Sequence, residues 1–167
     1  MSLIFLIGYM GCGKTTLAKK LASKLKYEWL DTDVFIENQE GLTVKEIFSK
    51  YGEAYFRSLE LKLIQSLDVS IPTVVSTGGG LPCVHNLMDQ LNGVGTTIYL
   101  ERTPKELFQR LKQGITKRPL LADKNDDEIL KFIEENLEIR KPIYRQSKFI
   151  LERDYQTVDK IINLLNR

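Results

Sequence analysis

Leu3-Ile4-Phe5-Leu6-Ile7, followed by Gly8-Tyr9-Met10-Gly11-Cys12-Gly13-Lys14-Thr15, is the stretch on which the fold turns. Five apolar residues in a row read as a buried strand. The next eight match G-x-x-x-x-G-K-[ST] at every fixed position, and Thr16-Leu17-Ala18-Lys19-Lys20-Leu21 then opens a helix. In this setting the glycines let successive backbone N–H groups turn inward and form an anion nest at a helix N-terminus. Lys14 can reach the β/γ phosphates, and the Thr15 hydroxyl is placed for Mg²⁺. An ordinary strand-to-helix turn would use its glycines only for positive φ. The order strand, loop, helix favours a nucleoside triphosphate.

Composition sets the outer limits. The 167 residues, 43% of them hydrophobic, suit one compact domain, 1–167, with a single core. The 24 Lys and Arg against 22 Asp and Glu leave a formal net charge of +2, too little to recruit nucleic acid or a membrane surface. No apolar run approaches the ~18 residues of a membrane span. The apolar N-terminus runs straight into the glycine loop, unlike a signal peptide. Cys12 and Cys83 lack metal-ligand spacing, so Cys12 reads as a small filler in a reduced, cytoplasmic setting. The lone His85 reads as a solvated residue at a helix start.

Strand and helix signals alternate along the whole chain. Strand-like runs fall at 3–7, 27–31, 73–77, 96–101 and 149–152; helical periodicity fills 14–25, 43–50, 54–67, 86–91, 104–111, 126–144 and 156–165. Thr43 with Glu46 is a capping-box candidate, and Pro104 suits the first position of a helix. Such alternation predicts a parallel sheet covered on both faces, with ligands at the carboxyl ends of its strands. Two segments interrupt the pattern: a helical insertion after the second strand, and the charged stretch 112–124, whose length without periodicity suggests an active-site lid.

Four further features bear on a phosphoryl acceptor. Asp31 and Asp33 end the second strand, where extended geometry would put both on one side; one could orient Mg²⁺ waters while the other holds a hydroxyl, or both could cap the next helix. Arg57 stands among apolar neighbours with Glu60 three residues on, a pattern also expected of an ion pair on a helix surface. Thr77-Gly78-Gly79-Gly80 follows a β-branched strand, and three glycines there remove side chains where a ligand would approach the backbone. Arg140, within Glu138-Ile139-Arg140-Lys141-Pro142-Ile143-Tyr144, by itself reads as part of a solvated face.

As an ordered set these motifs closely resemble the shikimate kinase family, across essentially the whole chain. The set comprises Gly8 to Thr16, Asp31-Thr32-Asp33, Gly52-Glu53 with Phe56-Arg57 and Glu60, Thr77-Gly78-Gly79-Gly80, Arg118-Pro119-Leu120-Leu121, and Arg140 four before Tyr144. The resemblance implies a three-layer α/β P-loop kinase fold related to nucleoside monophosphate kinases. Its five-stranded parallel sheet would have the order 2-3-1-4-5, with helices on both faces, a substrate-binding segment over 33–61 and a lid over about 112–124. The implied reaction moves the γ-phosphoryl of ATP to the 3-hydroxyl of shikimate, towards chorismate and the aromatic amino acids. Asp33, Arg57, Gly79 and Arg140, with Gly78 and Gly80, would bind shikimate. Gly11 to Thr16 would hold the phosphates, Thr15 one Mg²⁺, and Asp31 that metal through water. Lys14, Arg118 as the lid arginine, and Asp33 would be catalytic, and Gln156 would lie near the adenine. The implied partners are ATP and shikimate, with no nucleic acid or membrane, for a monomer in the cytoplasm.

The chemistry of shikimate suits these residues, because an arginine fork matches a planar carboxylate bidentately and an Asp accepts from ring hydroxyls. Three other readings compete. A gluconate or nucleoside monophosphate kinase could share the scaffold, though the Asp33, Arg57 and triple-glycine set favours shikimate. A non-catalytic nucleotide switch would explain the loop without the acceptor set. A nucleic-acid-dependent ATPase would call for a basic stripe.

Overall fold

A computed structural model describes residues 3–113 and 125–166. Its centre is β1, Leu3–Ile7, every residue of which is buried. Parallel pairing on one side joins β1 to β3, Thr73–Ser76, with Leu3 opposite Thr73. On the other side it joins β4, Thr96–Leu100, with Ile4 opposite Thr96. β2, Glu28–Asp31, and β5, Phe149–Leu151, form the edges, giving the order β2-β3-β1-β4-β5. Continuous burial of β1, β3 and β4 is what a parallel sheet covered on both faces requires. Strand order reverses beside β1, so the loop after Ile7 opens into the crevice where such folds bind ligands.

The helices are α1 (Lys14–Leu25), α2 (Thr32–Glu40), α3 (Val44–Tyr51), α4 (Glu53–Ser66), α5 (Leu87–Val94), α6 (Pro104–Lys112), α7 (Asp126–Tyr144) and α8 (Val158–Leu165). The expected capping box at Thr43 forms in both halves, and α6 starts at Pro104 behind a second one at Thr103 and Glu106. The largest apolar cluster joins the sheet to α1, α5, α6, α7 and α8. A second, around Ile36, Ile47, Phe56 and Leu63, binds α2, α3 and α4 into the insertion.

Several expected boundaries move, for local reasons. Tyr27 belongs to the turn after α1, where Lys26 adopts a left-handed φ of 58° and the Tyr27 amide returns to Ala22 O. Thr77 follows β3 directly: its amide completes the ladder by donating to Leu6 O, and its hydroxyl donates to the same oxygen. The chain turns at His85 and Asn86, both with positive φ, so α5 starts at Leu87 and runs on to Val94. Gln156 stands outside α8, since the Thr157 hydroxyl accepts from Lys160 N and caps the helix there.

One buried contact ties the insertion to the sheet. Thr32, fully buried at the start of α2, accepts the Gly78 amide at 2.8 Å. Thr32→Val keeps the shape but strands that amide. A cost of roughly 1–3 kcal/mol is expected, read as a lowered denaturation midpoint with unchanged slope.

Candidate active site

The crevice holds a cleft of about 460 Å³ lined by the loop, Asp31, Asp33, Ser76, the 77–79 backbone and Arg110. Gly13 caps α1 at a φ of 102°, a left-handed value that aims the first-turn amides at the cleft. No acidic residue occupies that first turn, so its positive end stays uncompensated. Lys14, 8% exposed, folds back on the loop: Nζ donates to Gly8 O at 2.8 Å and Tyr9 O at 3.0 Å, and lies 3.7 Å from Cys12 Sγ. Cys12 is a buried filler beneath the loop.

Asp31 does two jobs at once. Oδ1 accepts the Asp33 and Val34 amides and caps α2, while Oδ2 accepts the Thr15 hydroxyl at 2.7 Å. Ser76 Oγ lies 3.3 Å from the same hydroxyl. These oxygens form a hard donor set that fits Mg²⁺, which favours few protein ligands alongside phosphates and water. Among the described residues no group of three or more His, Cys, Asp and Glu could hold an ion alone.

Asp33 does not sit on the strand. The Asp31 cap starts α2 at Thr32, so Asp33 reaches the cleft from the first turn of a helix, and the expected side-by-side strand geometry is replaced by a helical one. Burial raises its carboxyl to about 6, with Asp31 pushing the same way and Lys14 opposing. Arg57 pairs with Glu60 at 2.7 Å and with Glu53 at 3.0 Å. This is not the surface pair of the simpler reading, because Glu60 is fully buried. Burial takes the Glu60 carboxyl to about 7 against the pull of Arg57, and its Oε1 has no hydrogen-bond partner among the described residues.

The glycines explain how these charges converge. A Cβ on Gly78 would lie 2.5 Å from Asp33 Oδ1 and 3.2 Å from Glu60 Oε1, and one on Gly80 would strike the Arg57 guanidinium. A Cβ on Gly79 would lie 3.7 Å from Arg140 Nη1. Arg140 is half-buried on α7, not on a solvated face, and its guanidinium reaches the Tyr144 hydroxyl. That hydroxyl donates to Gly79 O. Asp33, Arg57 and Arg140 therefore meet around one stretch of bare backbone, beside a phosphate loop. The arrangement can hold a triphosphate next to a small hydroxy acid.

A family model described as shikimate kinase matches residues 10–166. The chain belongs to the shikimate kinase family. Membership makes it a small-molecule kinase, with ATP-dependent phosphorylation of shikimate as its reaction. A shikimate kinase of Bacteroides fragilis is 44% identical over 96% of both chains. A crystal structure of shikimate kinase from Bacteroides thetaiotaomicron superposes with a TM-score of 0.92 at 40% identity, covering 99% of this chain and 98% of that one. The shikimate kinase of Acinetobacter baumannii, solved in complex with shikimate, gives 0.85 at 33% identity, covering 99% and 93%.

Of the sequence-identified residues, one lies outside the described residues and one stands apart from the cleft. Arg118, with most of the 112–124 stretch, lies outside the described residues. Gln156 is near the strand ends, where its Nε2 donates to Glu101 O at 2.7 Å and Leu151 O at 2.8 Å while its buried Oε1 has no partner among the described residues. The kinase site also contains residues the motif reading passed over. Ser76 sits at the carboxyl end of β3, where the topology rule puts ligands. Arg110, on α6, donates from Nε to Gly11 O at 2.6 Å, a contact across 99 positions with no local signal.

The raised Asp33 carboxyl has a measurable consequence for stability. Its folded value lies above the ordinary 3.8, so ionisation opposes folding: the cost is absent below 3.8 and complete above about 6. Asp33→Asn mimics the neutral form. It should raise stability at pH 8 by about 2–3 kcal/mol, with the gain vanishing near pH 4. A melting temperature at pH 8 below wild type would contradict this.

Proposed function

We propose that the chain transfers the γ-phosphoryl of ATP to the 3-hydroxyl of shikimate in this cleft. Residues 33–61 would form the acceptor-binding segment and 112–124 the lid of one kinase domain, 1–167. The observation that carries the acceptor assignment is Arg140. Half-buried on α7 beside Gly79, it has no carboxylate partner among the described residues, and a partly desolvated cation of this kind is a receptor for an anionic group. Arg57 differs, because Glu53 and Glu60 already neutralise it; Glu60 fixes its fork for the far side of the carboxylate.

In this reading Asp33 accepts from the 3-hydroxyl, aligns it in line with the phosphoryl and takes its proton as the new bond forms. Gly79 brings its backbone to the ring, with Gly78 and Gly80 leaving the room. Lys14 and the first-turn amides of α1 hold the phosphates. One Mg²⁺, carried with ATP, would be held by Thr15 with Asp31 through water and would neutralise phosphate charge. Arg118 would add a cation from the lid, and a closed lid excludes water as a competing acceptor. Gln156 would lie beside the adenine. The enzyme would act as a monomer in the cytoplasm, where Cys12 and Cys83, both free, remain thiols.

The decisive experiment is ADP release with acceptors added singly. Shikimate should support turnover, whereas gluconate and nucleoside monophosphates should leave the basal rate unchanged; ADP release independent of any acceptor would favour a nucleotide switch. Within that assay, Arg140→Ala should reduce kcat/KM for shikimate on the order of 10²-fold or more, with ATP binding spared. Wild-type kcat/KM in this variant would return Arg140 to the solvated surface. Arg118→Ala should lower kcat more than it weakens ATP binding, since a lid cation acts on charge in the closed complex. An Arg118→Ala enzyme with unchanged kcat would remove Arg118 from the reaction.

A further inference from the structure

Tyr9 occupies a variable position of the phosphate loop, yet it is 1% exposed, and its buried hydroxyl has no hydrogen-bond partner among the described residues. A Tyr kept buried at that cost has a use for its ring. The ring supports a guanidinium: Arg140 Cζ lies 5.6 Å from its centroid, within cation–π range. Burial raises the Tyr9 phenol above its ordinary pKa and the nearby Arg140 charge opposes that rise, so the hydroxyl stays neutral beside the guanidinium. Beyond Arg140 stands Tyr144, packed on Tyr99 at 5.2 Å between ring centroids, so the cation lies among buried aromatic side chains. The Tyr9 backbone belongs to the nucleotide side, since its carbonyl takes the Lys14 ammonium and the Cys12 amide.

We propose that Tyr9 is a positioning residue for the acceptor: its ring is the platform that sets the Arg140 guanidinium, so a residue of the phosphate loop tunes recognition of the substrate carboxylate. This rests on the reading of Arg140 as the carboxylate receptor. Arginine carries its charge on a long, rotatable stem, and its entropy is lost when it binds a planar anion. A face that holds the fork before binding removes part of that loss. The ring supplies the effect, because an unpartnered hydroxyl contributes nothing to holding a cation.

The test is to vary the ring and read KM for shikimate separately from KM for ATP. Tyr9→Phe should keep both KM values and kcat within about twofold. Tyr9→Leu removes the π face and should raise KM for shikimate roughly 5- to 30-fold, the worth of a partly desolvated cation–π contact, with KM for ATP within about twofold. Should Tyr9→Leu fail to fold, Tyr9→Phe carrying successive ring fluorines keeps shape while draining the π face. KM for shikimate should then climb with each fluorine while KM for ATP stays flat. A flat shikimate response to fluorination, or ATP and shikimate KM values rising together, overturns the proposal. Arg140→Ala run in parallel separates the two readings. If it leaves KM for shikimate unchanged, the receptor assignment has failed; if it raises KM while the Tyr9 series does not, the platform alone has failed.

Discussion

Charge buried against bare backbone is the constraint on which the acceptor site depends. Asp33, Glu60, Arg57 and Arg140 converge on the 78–80 segment, where water is scarce and unpaired charge is costly. The carboxyl groups respond by rising towards neutrality, Asp33 to about 6 and Glu60 to about 7, while Arg57 spends its fork on acids. Arg140 alone of the two arginines carries charge that no described carboxylate answers. The site is therefore biased towards an anion carrying hydroxyls before any ligand arrives, and the sheet supplies the rigidity: Gly78 is fixed through Thr32, and Gly79 through Tyr144.

The two halves of the site are built by different physics. On the proposed nucleotide side, the groups on offer are amides and one lysine whose positions follow from a strand, a left-handed Gly13 and a helix start. On the proposed acceptor side the charges are side chains delivered by α2, α4 and α7, elements far apart in sequence. Asp31 joins the halves, capping α2 with one oxygen and holding Thr15 with the other. A shift of α2 therefore moves both the metal-side hydroxyl and Asp33.

Legibility in the sequence follows the same division. The phosphate loop could be read outright, because its backbone demands leave glycines and Lys-Thr at fixed spacing. The sheet order and the family followed once several motifs were taken in order. Single acceptor residues were ambiguous for a physical reason: helix capping and ligand binding call for the same carboxylate, and the Asp31 carboxylate caps α2 while it also accepts the Thr15 hydroxyl. The strand argument for Asp33 failed because the Asp31 cap ends extended geometry one residue earlier. Arg57 and Glu60 looked like a surface pair, since i,i+3 spacing says nothing of what covers a helix. Tyr9, Ser76 and Arg110 act through partners up to 131 positions away, and no local pattern encodes such meetings.

The crowding at Gly78 and Gly80 also bears on resistance to inhibitors. A molecule that gains its affinity from the backbone of this segment contacts atoms common to every amino acid, so a point mutation cannot delete them. Nor can it readily block them, because a side chain at Gly78 displaces Asp33 or Glu60, and one at Gly80 displaces Arg57. An escape variant here has to move Asp33, Glu60 or Arg57 to make room, which couples evasion of such a molecule to the charges packed on that backbone.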